Sequence, residues 1–318
     1  MNIGKISAVT IPSPDLSKSV EQYIEFLNYR LVDEGQVSKE EAIAWKAENI
    51  EGADYVVLQP ENSDDFAFRF INQEIQGEYI PFKSGGWNAA ELIVRNVDQM
   101  AIKLSNSDFE VIGTPADLSF TDQIRAMQVV GPSSEILYLT EFKSKLPEFD
   151  SPTARCDVDQ TFIVILAGSS MDQMQEFYCD SFNLERTVVM DSRIRAISRV
   201  FGNPEDTKYK SAAIPIKDQC LIEIDELPDG SDIRSSKPGY LPPGISMVSF
   251  LADGNLHTDS LSYDCNLTHL KGKKCSIVHT TYRLGRHYLG NLPSHTDRII
   301  PSQSFTSFSI SLLKGLLP

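Results

Sequence analysis

Alternating apolar and polar positions predict a β-strand at the start of the chain, followed by an amphipathic helix. In the stretch "KISAVTIPSPDL", side chains two residues apart share a face, which is the period of a strand. Asp15 or Ser17 can cap the helix that follows. Its apolar positions, at i, i+3, i+4 and i+7, are Val20, Tyr23, Ile24 and Leu27. Three more stretches of strand character come next, "YRLVDEG", "ADYVVLQ" and "FAFRFIN", so the pattern predicts a strand–helix–three-strand unit.

The same unit recurs along the chain. A second copy contains "GWNAAELIV", "NVDQMAIKLSN" and "FEVIG", and closes with a hairpin that turns at a Gly-Pro pair. After a linker, a third copy begins with "QTFIVIL", has a helix that starts near a Ser-Ser pair, and continues with "LERTVVM" and "CLIEIDEL". A fourth begins at "GISMVSFLAD", where Asp253 lies 155 residues after Asp98. Beyond Gly254 we recognise no helix, hairpin or closing strand in this register.

Four tandem units of this kind resemble the vicinal oxygen chelate superfamily, which includes glyoxalase I, bleomycin-resistance proteins and extradiol dioxygenases. The stretches that carry the resemblance are "ISAVTIPSPDLSKSVEQY", "MQVVGPSSEILYLTE", "SSMDQMQEFYCDSFNL" and "CLIEIDEL", and it covers residues 4 to about 254. The resemblance implies an α+β fold in which tandem βαβββ modules pair into two incompletely closed barrels, each with a pocket. The implied parts are a first barrel at 1–143 (modules 4–75 and 85–143), a linker at 144–158, an incomplete second barrel at 159–254, and a divergent or disordered segment at 255–318.

The resemblance also implies a divalent metal, held by a His or Glu in the first strand of a unit and a Glu in its last strand. The aligned first-strand positions of the four units are Ala8, Glu91, Ile163 and Ser246. The aligned last-strand positions of the first three units are Arg69, Tyr138 and Glu223. Glu91 and Glu223 are weak candidate ligands, because one carboxylate in each barrel does not make a transition-metal site. We therefore expect no cofactor, with a divalent metal as the alternative.

The first barrel is expected to hold the functional pocket, lined by Ala8, Arg69, Glu91 and Tyr138. Arg69 could bind a carboxylate or carbonyl, Tyr138 could donate a proton or a hydrogen bond, and Glu91 could act as a base. In the alternative interpretation, Arg69 and Glu91 form an ion pair and Tyr138 only packs.

Three hypotheses for the function remain open. The first is a metal-free binding protein that holds a small apolar or aromatic molecule in the first barrel. The second is a metal-free lyase or isomerase of small-molecule catabolism that uses Arg69, Glu91 and Tyr138. The third is a divalent-metal enzyme of the glyoxalase or dioxygenase type.

The formal net charge of −15 argues against a nucleic-acid partner and against an anionic membrane surface. No apolar run is long enough to span a membrane, and we see no signal peptide. Five cysteines, three of them isolated, are typical of a reducing cytoplasm. We therefore expect a cytoplasmic protein with a small-molecule partner, and a homodimer as one possibility. In the acidic run Glu223, Asp225 and Glu226, two or more of the side chains are interpreted as a solvated strand end.

The end of the chain has a different composition. All five histidines follow residue 255, and from residue 256 the net charge is +4, against −19 before it. Two Cys-x3-His pairs occur here, formed by Cys265, His269, Cys275 and His279, and this spacing is compatible with zinc. Three interpretations are open: a zinc-binding replacement of the fourth unit, a loosely folded ending without metal, or a stretch translated in another reading frame. The abrupt change in composition favours the last.

Overall fold

The computed structural model describes residues 2–75, 77–146, 150–232, 234 and 237–253. Beyond residue 253 it describes the backbone of three strands, at 261–264, 274–282 and 306–314. Within these residues the chain forms four units in tandem, as the repeat predicts.

The first unit contains two helices rather than the single one predicted. Its elements are β1 (Asn2–Ser13), α1 (Leu16–Leu27), β2 (Tyr29–Gln36), α2 (Lys39–Ala44), a 3-10 helix (Glu48–Ile50), β3 (Asp54–Pro60) and β4 (Ala67–Asn72). The predicted cap of α1 is present, since the Asp15 side chain accepts a hydrogen bond from the backbone nitrogen of Lys18 at 2.9 Å. α1 ends at Asn28, whose φ of 56° lies in the left-handed region that asparagine tolerates.

The second and third units follow the same plan. The second consists of β5 (Gly86–Val94), α3 (Val97–Leu104), β6 (Glu110–Leu118), β7 (Thr121–Val130) and β8 (Ile136–Phe142). The third consists of β9 (Val158–Gly168), α4 (Met171–Phe182), β10 (Met190–Arg193), α5 (Arg195–Phe201), β11 (Lys208–Ile216) and β12 (Cys220–Glu226). Ser170 caps α4 as Asp15 caps α1, and Asn183 ends α4 with a φ of 53° as Asn28 ends α1. Each of these pairs is separated by the predicted 155 positions, so the internal repeat is confirmed.

The fourth unit is more complete than the sequence indicated. It contains β13 (Met247–Asp253), β14 (Leu261–Asp264), β15 (Lys274–Tyr282) and β16 (Thr306–Lys314). β14 and β15 pair antiparallel, and β16 runs parallel to β13 with Ser309 opposite Met247. The expectation that no hairpin or closing strand follows residue 254 is therefore wrong. The β-branched run "SIVHTTY" and the alternating run "SFSIS" are typical of strands, although the composition break draws attention away from them.

The units pair in a different order from the one expected. Sheet 1 has the strand order β14-β15-β16-β13-β1-β4-β3-β2, and sheet 2 has the order β10-β11-β12-β9-β5-β8-β7-β6. Within each unit the first and last strands lie side by side and parallel. The first unit therefore joins the fourth through antiparallel β1 and β13, and the second joins the third through β5 and β9. The expectation that the first two units pair in one barrel is therefore wrong. The domain boundaries themselves stay predictions.

The largest apolar core contains residues of both sheets together with α1, α3 and α4. Strand alternation supplies it: Phe68 of β4, Leu92 of β5, Val164 of β9 and Ile222 of β12 all belong to this cluster and are fully buried. Their neighbours along each strand point to the opposite face, where the sheet curls into an open half-barrel. We call this opposite face the concave face of each sheet.

The helices α2 and α5 were not predicted, and they occupy equivalent places. α2 follows the second strand of the first unit, and α5 follows the second strand of the third. The apolar residues of α2 cluster with the concave face of sheet 1, and those of α5 cluster with the concave face of sheet 2. Both helices are only six or seven residues long, which makes their periodicity too short to read from sequence. They cover part of each concave face.

Candidate functional site

The concave face of sheet 1 is filled by the protein itself. Arg69 on β4 points into it and is 3% exposed. Its Nη1 lies 3.4 Å from Oε1 of Glu41 on α2, which is 1% exposed, so the two form a buried ion pair. The Arg69 guanidinium also lies 4.5 Å from the ring centre of Trp45, and its Nε donates to Thr10 Oγ1 at 3.3 Å.

Local structure fixes Glu41 in place for this contact. Ser38 and Glu41 form a capping box at the start of α2: the Ser38 hydroxyl accepts from the Glu41 nitrogen, and Glu41 Oε2 accepts from the Ser38 nitrogen. The other carboxylate oxygen remains for Arg69. Apolar residues close the rest of the face, among them Ala8, Trp45, Val57, Ala67, Ile71 and Met247. On this face the charge of Arg69 is therefore balanced by Glu41 of the same protein.

The pocket expected to contain Arg69 together with Glu91 and Tyr138 is not formed. Ala8 and Arg69 lie on sheet 1, whereas Glu91 and Tyr138 lie on sheet 2. The alternative Arg69–Glu91 ion pair is also corrected, because Arg69 pairs with Glu41. The reason is the pairing of the units, which puts the first and second units in different sheets.

Sheet 2 brings together four of the aligned positions. Glu91 on β5 lies beside Tyr138 on β8 and, on its other side, beside Ile163 on β9. Glu223 on β12 pairs with Ile165, two residues farther along β9 on the same face. Glu91, Tyr138 and Glu223 are half-buried among apolar neighbours such as Ile163. Glu91 and Glu223 are thus separated by about two strand spacings of ~4.8 Å across the sheet and by two residues, ~6.6 Å, along it.

The protonation of these groups is shifted toward the neutral form. Burial raises the pKa of Glu91 to about 8, the charge of Glu223 adds to the rise, and a hydrogen bond from Thr140 Oγ1 to Glu91 Oε1 (2.6 Å) opposes it. Burial raises the pKa of Glu223 to about 7. The pKa of Tyr138 is raised by burial and then by the charges of Glu223, Asp225 and Glu91. At neutral pH, Glu91 is therefore mostly protonated.

Asp225 is a further member of this face. It is 2% exposed and alternates with Glu223 on β12, so both side chains point to the concave side. Its Oδ1 is buried and has no hydrogen-bond partner among the described residues. Burial, followed by the charge of Glu223, raises the pKa of Asp225, and a hydrogen bond with Ser211 lowers it.

The interpretation of Glu223, Asp225 and Glu226 as a solvated strand end is wrong. Glu226 alone points to the other side, where its carboxylate accepts from the backbone nitrogen of Met171 and pairs with Lys210. The alternation Ile222, Glu223, Ile224, Asp225 carried the signal for a two-sided strand, which charge content obscured.

α5 covers part of this face. Its Ile197 is fully buried in the same apolar cluster, and its Arg199 Nη1 donates to the backbone oxygen of Ile112 on β6 at 2.7 Å. β6 and β10 are the two edge strands of sheet 2. Because α5 follows β10 directly, its contact with β6 shows how far the sheet curls. The carboxyl groups of the concave face therefore lie in a recess of the half-barrel.

The residues on sheet 2 do not fit the divalent metal that the resemblance implies. In the part of the chain with described side chains, no three His, Cys, Asp or Glu residues come together as a metal-binding group. Ile163 occupies one of the four aligned positions, and Tyr138 another. Cys265 and His269 lie outside the described residues, as do the side chains of Cys275 and His279, so the zinc hypothesis for this segment stays a prediction.

Half-barrel sheets built from tandem βαβββ units are the fold of the glyoxalase/bleomycin resistance/dioxygenase proteins, and the fold class expected from the sequence is confirmed. A crystal structure of glyoxalase I from Zea mays is similar, with a TM-score of 0.58 and 12% identity over 98% of this chain and 92% of that chain. A Bacillus subtilis protein provisionally named a dioxygenase matches with a TM-score of 0.56 and 11% identity, over 98% and 86% of the two chains. At these identities the similarity establishes the fold alone.

No protein-family model matches the sequence, and no curated protein matches it. Among the helices of the described residues, none is both long enough and apolar enough to cross a membrane.

Proposed function

We propose that the protein binds a small molecule with an apolar body on the concave face of sheet 2. One observation carries the proposal: Glu91, Glu223 and Asp225 lie on an apolar face, and none forms an ion pair with a Lys or Arg among the described residues. Polar groups placed in an apolar recess are the usual composition of a ligand site. The site thus moves from the first two units to the second and third.

The proposal retains the first functional hypothesis but changes its residues. Tyr138, Glu91 and Glu223 would contact the ligand, while Arg69 and Ala8 belong to the filled face of sheet 1. A small-molecule partner, the absence of nucleic-acid and membrane partners, a homodimer and a cytoplasmic location stay predictions.

Blocking the recess is expected to abolish binding. Ala213 on β11 lies directly opposite Glu223 and shares its face, so Ala213→Trp would put an indole ring into the site. A screen of small aromatic fragments by saturation-transfer NMR should find ligands for the wild type, and the variant should bind them at least tenfold more weakly. Ile102→Trp is the matched control, because Ile102 is 72% exposed on α3.

The proposal fails if no fragment binds the wild type, or if Ala213→Trp, once shown to be folded, binds the same fragments equally well. Native mass spectrometry of freshly purified protein complements the screen, because a ligand retained by the wild type should be absent from Ala213→Trp.

Acid–base catalysis without metal is a second candidate, supported by the neighbouring positions of Glu91 and Tyr138. A carboxyl with a pKa of about 8 near another of about 7 is an arrangement in which one group donates a proton and the other accepts it. A lyase or isomerase would use Glu91 as acid, Glu223 as base and Tyr138 as hydrogen-bond donor. If so, a metabolite extract incubated with the wild type should lose a compound that Tyr138→Phe binds but leaves unchanged; if no compound is consumed, binding alone remains.

A further inference from the structure

We propose that the ligand of sheet 2 is an organic cation, an ammonium group on an apolar or aromatic body, held by Glu91, Glu223 and Asp225. This inference rests on the proposed function and specifies the chemical class of the ligand. It follows from three carboxyl groups on the concave face that have no basic partner among the described residues.

Three carboxyl groups lie on one face and come from two strands, Glu91 from β5 and both Glu223 and Asp225 from β12. Ion pairs elsewhere in the described chain show that its acidic side chains commonly have basic neighbours, yet none is formed by these three. Arg199 on α5 is directed away from them, toward the Ile112 carbonyl and Glu205. A buried carboxylate without a cation is costly, which is why these carboxyls are shifted toward the neutral form. A cation that binds there stabilises the ionised form, and the proton is released to solvent.

The orphaned Asp225 Oδ1 is an independent sign of a missing donor. It is buried, it points to the same side as Glu223, and it accepts no hydrogen bond from the described residues. Buried polar atoms almost always have a partner in folded proteins. An ammonium group carries several N–H donors and could satisfy this oxygen and a second carboxylate together.

On sheet 1, the buried charge of the concave face is balanced by a side chain of the protein itself. There α2 supplies Glu41 to the buried Arg69, and Trp45 covers the guanidinium. On sheet 2 the equivalent helix α5 supplies apolar residues such as Ile197, and no ion pair among the described residues joins it to the three carboxyls. The half-buried ring of Tyr138, packed on the buried Phe82 with ring centres 6.4 Å apart, offers a surface for an aromatic body. A ligand cation would then supply the positive charge that Arg69 supplies on sheet 1.

Three probes of nearly equal shape test the charge preference. Isothermal titration of the full-length wild type with benzylammonium, benzyl alcohol and benzoate at pH 7.5 compares a cation, a neutral molecule and an anion. We expect benzylammonium to bind at least tenfold more tightly than benzyl alcohol, and benzoate not to bind. Equal binding of the alcohol, or preferential binding of benzoate, would overturn the cation assignment while leaving small-molecule binding intact.

Two variants test whether benzylammonium binds at the carboxyls of sheet 2. Ile163 sits next to Glu91 and close to Glu223, so Ile163→Arg would place a built-in guanidinium among the carboxyls, and benzylammonium affinity should fall at least tenfold. Ile163→Met is the uncharged control and should keep most of that affinity. Glu223→Gln should weaken benzylammonium at least fivefold and benzyl alcohol less than twofold.

The outcomes separate the two proposals. If the fragment screen succeeds but benzylammonium does not bind, the cation class is wrong. If neither the fragments nor any of the three probes bind, the proposed function itself is wrong. If benzylammonium binds Ile163→Arg and the wild type equally, with thermal unfolding showing that the variant is folded, its site is elsewhere and this inference fails.

Discussion

Replacing Arg69 with alanine is expected to lower the free energy of unfolding by about 3–5 kcal/mol, the range measured when one partner of a buried ion pair is removed. Arg69 and Glu41 are 3% and 1% exposed, so the change leaves a carboxylate in an apolar cluster with no basic partner. It also removes the guanidinium that packs on Trp45. Urea unfolding followed by tryptophan fluorescence and circular dichroism gives the measurement.

Two controls make this result specific. Arg125→Ala breaks surface pairs with Asp98, at 2.9 Å, and Asp117, at 3.1 Å, and should cost far less than Arg69→Ala because surface ion pairs are screened by solvent. The double variant Arg69→Met/Glu41→Leu should recover most of the loss, because apolar side chains can replace a buried pair. An Arg69→Ala cost below 1 kcal/mol would show that the pair is not buried in solution.

The same variant also tests where ligands bind. If Arg69 only stabilises sheet 1, folded Arg69→Ala protein should bind the ligands of sheet 2 with unchanged affinity. A large loss of affinity at full folding would return Arg69 to the binding site. Stability and affinity thus report on the two concave faces separately.

The repeat and its local elements could be predicted because they depend on short-range signals. Asp15 and Ser170 are helix caps with a local mechanism, and strand alternation assigned Glu91, Tyr138 and Glu223 to corresponding positions. The partner of each unit could not be predicted from such signals. The first strand of every unit presents an edge that can pair with the first strand of any other unit, and β1 selects β13, which lies more than 200 residues away. Loop-closure cost grows only slowly with such distances, so sequence proximity is weak evidence for pairing.

The candidate site depended on this missing information. The adjacency of their units in the chain predicts Arg69 beside Glu91, whereas the acidic run around Asp225 predicts a solvated side chain. The structure differs on both points. Arg69 pairs with Glu41 on a helix that was not predicted, and Asp225 is buried on the concave face of sheet 2. Side chains of the right chemical type were thus identified, but which of them meet is a property of the sheet order.

Replacing Glu135 with glutamine is expected to remove a pH-dependent part of the stability. Glu135 is fully buried in the turn between β7 and β8, where Oε1 accepts from the Tyr23 hydroxyl at 2.9 Å and Oε2 accepts from the Ser133 nitrogen at 2.8 Å. Tyr23 belongs to α1 of the first unit, so the contact joins two units. Burial raises the pKa of Glu135 from 4.5 to about 7, while its hydrogen bonds oppose the rise.

The sign of the effect follows from proton linkage. The folded state binds the proton more tightly than the unfolded state, so the contribution is complete below about pH 4.5 and is lost as pH rises toward 7. At ~1.4 kcal/mol per pKa unit, the shift from 4.5 to about 7 corresponds to a loss of about 3.5 kcal/mol. Glutamine stays neutral, so the stability of the wild type minus that of Glu135→Gln should fall by up to this amount between pH 4.5 and 8.

Urea unfolding at half-unit pH intervals measures this difference directly. Glu91, Glu223 and Asp225 also have raised pKa values, but they are present in both proteins and cancel in the comparison. Glu110→Gln is the matched control, because Glu110 is exposed on β6 and its replacement should leave the pH profile unchanged. A constant difference between wild type and Glu135→Gln across this range would mean that the carboxyl is ionised in the folded protein, with its two donors outweighing burial.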